Sequence, residues 1–288
     1  MRFRWDWLRP VVTVPFVPTL GPVHPSVLTQ DLFSDTLIAA STERFLRYDK
    51  DVRWSDSKDE TVLAEDIVHR PGETLIPTLL RRGAGTVKVH VYGMQDDSAL
   101  VASELAQKLA MQYDADKARI IRFLGPEALD GRGTRIQLKD FTAAPCPAPG
   151  GPVRPFTEWP QAVRDTFQDF AGEMAADGFA FLYEQMINGN VGPVLTAVVD
   201  GTVAGAIGPM EIRQDAITVP QLMPQYFGVR KGHRGAGLGR LLWRAAMHWG
   251  QSHGAAYQLL QTEVGGPSDA LCRSEGLTSL GFTYWQPC

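Results

Sequence analysis

The feature that most constrains this chain is a glycine-rich turn between a short apolar segment and a long amphipathic one. Residues 225–229 read QYFGV, which favours a strand, and residues 241–253 have the apolar spacing of a helix. Between them, Gly235, Gly237 and Gly239 let the backbone turn sharply and approach a ligand closely. The first amides of such a helix lack intrahelical partners and carry the positive end of its dipole. This order of elements therefore predicts a seat for an anion such as a pyrophosphate.

Cationic residues surround the turn, but the common phosphate-binding templates do not fit it. Arg230, Lys231, Arg234 and Arg240 add positive charge. A Walker loop requires Gly-Lys followed by Ser or Thr, and this tripeptide does not occur in the chain. A dinucleotide fingerprint starting at Gly235 would need glycine at position 240, which is Arg240. Both templates are excluded by spacing.

The segment Arg234-Gly235-Ala236-Gly237-Leu238-Gly239 matches the pattern [Q/R]-x-x-G-x-[G/A]. It resembles the coenzyme A loop of the GNAT superfamily of N-acyltransferases, and the order of the flanking elements is similar. The resemblance implies that strand amides hold the pantetheine arm and that loop amides hold the pyrophosphate. The cofactor-binding residues it implies are Phe227, Gly228, Val229, Arg234, Gly235, Ala236, Gly237, Leu238, Gly239 and Arg240.

A proline-rich segment predicts two domains. Residues 142–155 read TAAPCPAPGGPVRP, and five prolines and two glycines disfavour both helix and strand pairing. The 288 residues exceed the usual domain length of about 100–200 residues. We therefore predict an α/β domain of unknown role at 1–141, a linker at 142–155 and a GNAT domain at 156–288. The fold class is α/β, with a mixed sheet flanked by helices, and residues 1–141 are open to interpretation as a degenerate GNAT copy.

Periodicity gives the element assignments in the first 141 residues. We predict helices at residues 34–40, 74–82 and 98–113, and strands at residues 43–54, 86–92 and 119–124. The last three of these in chain order form a β-α-β passage. No motif in this half specifies a chemical reaction.

In the second half of the chain, the sequence pattern predicts helices first and then strands. Residues 157–187 suit two amphipathic helices that are broken near Asp177-Gly178. Residues 194–199 and 203–212 flank Asp200-Gly201, a pair typical of a tight hairpin turn. Residues 257–262 (YQLLQT) favour a strand, and residues 268–280 favour a helix that closes on Gly281-Phe282.

Acyl transfer to an amine needs a neutral nitrogen nucleophile, donors for the developing oxyanion and a proton for the departing thiolate. The resemblance implies that a backbone amide of Val229 or its neighbour stabilises the oxyanion. For the base we rank Glu211 slightly ahead of Glu263, each acting through water. Tyr226 and Gln225 are further candidates. Ordinary structural roles remain alternatives for all of them: a solvated or salt-bridged carboxylate for each glutamate, and core or edge packing for Tyr226.

The general acid is harder to assign. The resemblance places a tyrosine in the last helix, four residues before the glycine of the terminal Gly-Phe pair, and that position is Leu277. Ser268, Cys272, Ser274 or a water are the substitutes. Cys272 also suits the role of a small buried hydrophobe.

The function that these features predict is transfer of an acetyl or other short acyl group from acyl-coenzyme A to a small-molecule amine. The amine would attack directly in a ternary complex. One alternative is a non-catalytic protein that binds and senses acyl-coenzyme A. Another is a GNAT-fold enzyme that performs O-acylation or decarboxylates an acyl-coenzyme A.

Composition limits the classes of molecule that we expect the chain to bind. A net charge of −4 gives no general attraction to nucleic acid or to an anionic membrane surface. No run approaches the roughly 18 apolar residues of a spanning helix. The three cysteines lack metal-ligand or paired spacing, so we expect no metal and a cytoplasmic location. Acetyl-coenzyme A or another acyl-coenzyme A is the expected co-substrate, and a homodimer is left open.

Overall fold

A computed structural model describes residues 5–93, 95, 97–128 and 132–288. The helices are α1 (Trp5–Leu8), α2 (Gln30–Ser41), α3 (Ser98–Gln112), α4 (Gln161–Arg164), α5 (Phe167–Glu173), α6 (Phe179–Ile187), α7 (Leu238–Ser252) and α8 (Pro267–Ser274). The strands are β1 (Phe16–Val17), β2 (Gly21–Pro22), β3 (Glu60–Val62), β4 (Val68–Arg70), β5 (Glu73–Leu80), β6 (Thr86–Gly93), β7 (Lys117–Leu124), β8 (Thr134–Asp140), β9 (Val153–Pro155), β10 (Leu195–Val199), β11 (Thr202–Gly208), β12 (Ile212–Gln214), β13 (Pro220–Leu222), β14 (Tyr226–Val229), β15 (Tyr257–Glu263) and β16 (Thr278–Pro287). Within the described ranges, no helix is long and apolar enough to cross a membrane.

The chain divides into two compact units. Unit 1 comprises Met1–Lys139 and Leu259–Cys288, and unit 2 comprises Asp140–Gln258. Each unit combines helices with β-strands, which confirms the prediction of a mixed α/β fold. The domain bounds predicted from the sequence, which are 1–141, 142–155 and 156–288, remain a prediction.

Unit 1 is built on a mixed sheet. β5 and β6 pair antiparallel, β6 and β7 pair parallel, and β16 lies antiparallel between β7 and β8. α3 connects β6 to β7, so the predicted β-α-β passage is confirmed. Apolar residues of α3 pack on these strands, with Leu75, Val89, Ala106, Leu109 and Ile120 in one buried cluster.

Two predictions in unit 1 were wrong. Residues 74–82, expected to be a helix, lie mostly in β5, where every residue but Leu80 is buried. A strand that is buried on both faces need not alternate, and the apolar residues at 75, 76, 79 and 80 imitate helical spacing. Residues 43–54, expected to be a strand, contain instead a short 3-10 helix at Lys50–Arg53. The predicted helix at 34–40 is confirmed within α2.

The C-terminal helix is also shorter than predicted. α8 ends at Ser274, and Gly276 follows with a φ of 75°, a left-handed conformation that terminates helices. The Leu277 amide donates to the Cys272 carbonyl at 3.1 Å, which closes the helix end. β16 then begins at Thr278, and Gly281 lies at an irregularity inside this strand. Leu277 is therefore not a helical residue.

Unit 2 contains a four-stranded antiparallel sheet in the order β14-β11-β10-β9. The predicted hairpin around Asp200-Gly201 is confirmed, and both turn residues have positive φ, 48° and 75°. β11 is shorter than expected because it ends at Gly208. A separate hairpin pairs β12 with β13, and β13 runs parallel to the start of β15.

Helices α5 and α6 pack on this sheet through an aromatic core. Phe167, Phe170, Phe179 and Leu182 are buried with Met174 and with Val194 and Ala206 of the sheet region. Gly178, with a φ of 85°, separates the two helices, so the break predicted near Asp177-Gly178 is confirmed.

The segment predicted as an unpaired linker is tied to unit 2. Val153–Pro155 pairs with β10, whereas we expected no strand pairing there. The Gln251 side chain on α7 donates to the carbonyls of Phe141 at 2.6 Å and Ala144 at 3.0 Å. His248, one turn earlier, lies 2.8 Å from the Cys146 carbonyl. Proline removes backbone donors, but the carbonyls that remain still accept hydrogen bonds from a neighbouring helix.

Candidate functional site

Consecutive strands of unit 2 diverge at one point. β13 pairs parallel with β15, with Leu222 opposite Gln258. Four residues later the chain is in β14, which pairs with β11 instead. We call the connecting residues Met223, Pro224 and Gln225 the fork. Because the chain departs from β15 at the fork, one edge of β14 has no strand partner among the described residues.

Hydrogen bonding along β14 fixes which amides face that edge. The Arg230 amide donates to the Ala204 carbonyl on β11 at 2.9 Å. Peptide groups alternate along a strand, so the amides of Phe227 and Val229 point the other way, toward the unpaired edge. The Val229 carbonyl on this edge accepts a hydrogen bond from Arg234 Nε at 2.9 Å. The edge therefore offers amide donors in a row.

The side chains of β14 alternate between two layers. A Cβ at Gly228 would lie 2.8 Å from Phe179 Cε2, so this position needs glycine where the strand meets α6. On the opposite face, a Cβ at Gly239 would lie 3.4 Å from Phe227 Cζ. The first turn of α7 is thus packed against β14, next to the unpaired edge.

The turn into α7 depends on two left-handed glycines. Gly235 and Gly237 have φ of 83° and 84°, and a Cβ at either would meet no heavy atom within 4 Å. They are needed for backbone conformation and not for space. Gly237 is the N-cap and no side chain caps the helix, whose first backbone bond runs from the Leu241 amide to the Gly237 carbonyl. The amides of Leu238 and Gly239 precede that bond and lie at the positive end of the dipole.

The charges around the turn are positive. From 230 to 240 the sequence holds four cationic residues and no carboxylate. Arg230 Nε lies 3.1 Å from Glu173 Oε2 in an ion pair without hydrogen-bond alignment. Lys231 and Arg234 are exposed. The site is therefore electrostatically suited to an anion at the C-terminal end of β14.

Two of the predicted catalytic residues also lie in unit 2. Glu211 directly precedes β12, is half-buried, and pairs with Arg213 in a close ion pair. Its carbonyl accepts a hydrogen bond from the Met223 amide at 2.9 Å, which places the Glu211 backbone beside the fork. Tyr226 begins β14, and its ring packs over Gly178 and near Phe179, with ring centroids 6.3 Å apart.

The remaining candidates lie in unit 1. Glu263 is the last residue of β15 and is exposed. Leu277, expected at the tyrosine position, lies outside the helix, because Gly276 and not Gly281 ends it. Four residues before Gly276 is Cys272, which is buried. Burial, with the nearby Asp269 carboxylate, raises the pKa of the Cys272 thiol to about 11.

Sequence analysis missed a polar group in the first residues of β15. Tyr257 donates to Asp215 Oδ2 at 2.8 Å, and both are buried. Burial, and then the Asp215 carboxylate, raises the pKa of Tyr257 well above its ordinary value. The next residue, Gln258, is fully buried and bonds to Gln225 and Met223. A glutamine inside the apolar run YQLLQT was the signal for it.

Comparison with known proteins agrees with this geometry. Residues 157–273 match the model of the acetyltransferase (GNAT) family. No curated protein matches the chain. A GCN5-related N-acetyltransferase from Sphaerobacter thermophilus is similar in structure at 15% identity, with 87% of this chain and 90% of that chain covered and a TM-score of 0.50.

Two further solved structures are more distant. A tandem GNAT protein from the clavulanic acid biosynthesis pathway has 15% identity, coverage of 88% and 92% and a TM-score of 0.46. A GCN5-related N-acetyltransferase from Kribbella flavida has 14% identity, coverage of 77% and 88% and a TM-score of 0.42. The family match includes the fork, the glycine turn and α7. The part of the chain that matches the GNAT acetyltransferase family is therefore residues 157–273.

Proposed function

We propose that unit 2 binds acyl-coenzyme A and that the protein transfers its acetyl or other short acyl group to a small-molecule amine. The observation that carries this proposal is the unpaired edge of β14, whose outward amides at Phe227 and Val229 lead directly to the uncapped start of α7. A pantetheine arm contains amides that can pair with such an edge, as an added strand would. The adjoining pyrophosphate would meet the amides and cations of the turn.

This arrangement fixes the direction of the bound arm. The cationic turn follows β14 in the chain, so the pyrophosphate would lie at the Val229 end. An arm extended along four residues of strand, about 13 Å, would then bring the thioester to the fork. The cofactor-binding residues we propose are Phe227, Gly228, Val229 and the loop from Arg234 to Arg240.

The proposed reaction is a direct attack. The amine nitrogen forms a bond to the thioester carbonyl carbon, and the C–S bond breaks. An outward β14 amide, that of Phe227 or Val229, stabilises the oxyanion that develops. The proton lost by the nitrogen passes through water to a base, and the thiolate leaves with a proton as free coenzyme A.

Glu211 is the base we propose first. Its backbone bond to Met223 holds it beside the fork, where the thioester would lie. Glu263 stays the second candidate, and Tyr226, packed among aromatic rings, the third. For the acid, Ser268, Cys272, Ser274 or a water stay the candidates.

Turnover with a panel of small amines tests the proposal. Acetyl-coenzyme A and each amine are incubated with the protein, and free thiol and the mass of the product are measured. Glu211→Gln should lower kcat by about 10²–10⁴, the usual contribution of a general base, without changing the dissociation constant of acetyl-coenzyme A. Glu184→Gln, an exposed glutamate of α6, is the matched control. Equal kcat in both variants would remove Glu211 from the mechanism.

A non-catalytic sensor of acyl-coenzyme A is the second candidate. The ion pair between Glu211 and Arg213 favours it, because the carboxylate that the transfer would use as a base is already engaged by a guanidinium. Binding of acetyl-coenzyme A without thiol release across the amine panel would support this alternative. Thiol release with an alcohol acceptor, or loss of CO2 from malonyl-coenzyme A, would indicate O-acylation or decarboxylation.

The acceptor, the cellular location and the oligomeric state belong to the same proposal. The acceptor we propose is a small amine, and the location is the cytoplasm, where acyl-coenzyme A and reduced cysteines occur together. A homodimer is compatible with this function. Residues 1–141 are proposed to mediate oligomerisation.

A further inference from the structure

A concentration of positive charge lies on the mixed sheet of unit 1. The neighbouring strands β8, β16 and β7 carry five cationic residues and one carboxylate, which is Asp140 at the end of β8. The whole chain, in contrast, has a net charge of −4. Such a local excess of one sign attracts ions of the other sign to that part of the surface.

Two arginines on this sheet share one tyrosine ring. Tyr284 of β16 lies directly opposite Arg122 of β7, so the two side chains are on the same face of the sheet. The guanidinium carbon of Arg122 lies 5.8 Å from the centre of the Tyr284 ring. The guanidinium carbon of Arg132, which precedes β8, lies 4.2 Å from the same centre. Two guanidinium groups therefore converge on one aromatic side chain.

The backbone next to Arg132 is fixed on β16. A Cβ at Gly133 would lie 2.4 Å from the Thr283 carbonyl oxygen and 2.6 Å from Tyr284 Cβ, so only glycine allows this close approach. The Gly133 carbonyl also accepts a hydrogen bond from the Val264 amide at 2.9 Å. Arg132 is therefore held over Tyr284 before any ligand binds, which lowers the entropic cost of binding.

The hydrogen-bond donors of this cluster are unused and accessible. Among the described residues, no carboxylate pairs with Arg122 or Arg132, and the Tyr284 hydroxyl has no hydrogen-bond partner. Asp269 is already paired with Arg135 at 2.7 Å. Stacking on a ring uses the flat face of a guanidinium and leaves the N–H groups at its rim free to donate. Because Arg132 is exposed and Arg122 is half-buried, solvent and ligands reach both groups.

We propose that Arg122, Arg132 and Tyr284 form a binding site for a phosphate group. A phosphate dianion accepts hydrogen bonds from both guanidinium groups and from the hydroxyl, and its two charges offset the repulsion between the arginines. A carboxylate carries one charge and has fewer acceptor positions, so it binds more weakly. The phosphate group belongs either to the free ion or to a phosphate monoester. The site is independent of the proposed function, since none of its residues is in the coenzyme A site.

Calorimetric titration with inorganic phosphate tests the site, in the wild type and in Gly237→Tyr, where the turn before α7 should no longer take up the probe. We expect a dissociation constant of about 1 mM in both proteins. Replacing Arg122 and Arg132 together by glutamine should weaken this binding more than about tenfold, because charge-assisted hydrogen bonds are lost. Replacing Arg44 and Arg47 by glutamine removes the same charge at two exposed positions of unit 1 and is the matched control. Equal weakening in both double variants, or no phosphate binding in Gly237→Tyr, would overturn the proposal.

Single variants keep the proposal testable if the double variant does not fold. Tyr284→Phe retains the ring between the arginines and loses only the hydroxyl, so it should weaken phosphate binding about threefold without lowering the melting temperature. Arg132→Gln should weaken it about tenfold. Unchanged phosphate affinity in both single variants would overturn the site.

Other anions identify the ligand class. Acetate should bind at least about tenfold more weakly than phosphate, and equal affinity for both would contradict a site for a dianion. Glycerol phosphate distinguishes the two sources of the phosphate group. Tighter binding of glycerol phosphate than of inorganic phosphate would support a phosphate monoester as the ligand, and equal or weaker binding would support the free ion.

Discussion

The left-handed glycine at the start of α7 gives a prediction that can be worked out from geometry. Gly237 has a φ of 84°, and a Cβ there would contact no heavy atom within 4 Å. Gly237→Ala therefore adds conformational strain but no clash. An alanine in the left-handed region costs about 1–2 kcal/mol. Reduced freedom of the unfolded chain offsets about 0.4–1 kcal/mol of this, so the free energy of unfolding should fall by about 1 kcal/mol.

The other end of the same helix provides the control. Gly254 has a φ of 89° and equally open surroundings, so Gly254→Ala should lose a similar amount of stability. Calorimetric unfolding should show both variants melting about 2–4 °C below the wild type. Gly237→Asn should melt closer to the wild type, because asparagine tolerates the left-handed region. Wild-type melting of Gly237→Ala, or a large difference between the two alanine variants, would refute the reasoning.

Three further predictions concern packing, titration and the proline-rich segment. A Cβ at Gly205 would lie 2.8 Å from Leu242 Cδ1, so Gly205→Ala should cost about 1–3 kcal/mol in a denaturant titration, and adding Leu242→Val should recover part of the loss. Because the pKa of Tyr257 is raised, its stabilising effect is complete below pH 10 and is lost as pH rises further, so Tyr257→Phe should flatten the alkaline loss of stability. Gln251→Leu removes three hydrogen bonds to the segment before β9 and should speed its cleavage by a protease, and an unchanged rate would contradict that anchoring role.

The prediction from sequence succeeded where local chemistry dictates the backbone. The glycines of the turn before α7 and the pair Asp200-Gly201 adopt the positive φ angles that their types favour, and the flanking elements follow. Predicting these features requires no knowledge of contacts between residues that are distant in the sequence. The GNAT resemblance rested on this part of the chain, and the family match contains it.

The prediction from sequence failed where burial in the folded protein determines the secondary structure or the role of a residue. β5 is buried on both faces, so its sequence does not show the alternation of apolar and polar residues that predicts a strand. The end of α8 was misplaced because Gly281 was taken as its boundary and Gly276 was passed over. Gln258 was missed because only the fold brings it to Gln225 and reveals its unsatisfied oxygen. A buried polar group acquires its meaning from partners that are remote in sequence.

Calorimetric titration with acetyl-coenzyme A tests the central claim most directly. The wild type is compared with Gly237→Tyr, whose side chain should occlude the proposed pyrophosphate seat, and with Gly254→Tyr, which adds the same ring and a similar φ strain at the far end of α7. The account predicts micromolar binding by the wild type and by Gly254→Tyr, and its loss in Gly237→Tyr. No binding by the wild type, or equal binding by both tyrosine variants, would contradict an acyl-coenzyme A site at this turn.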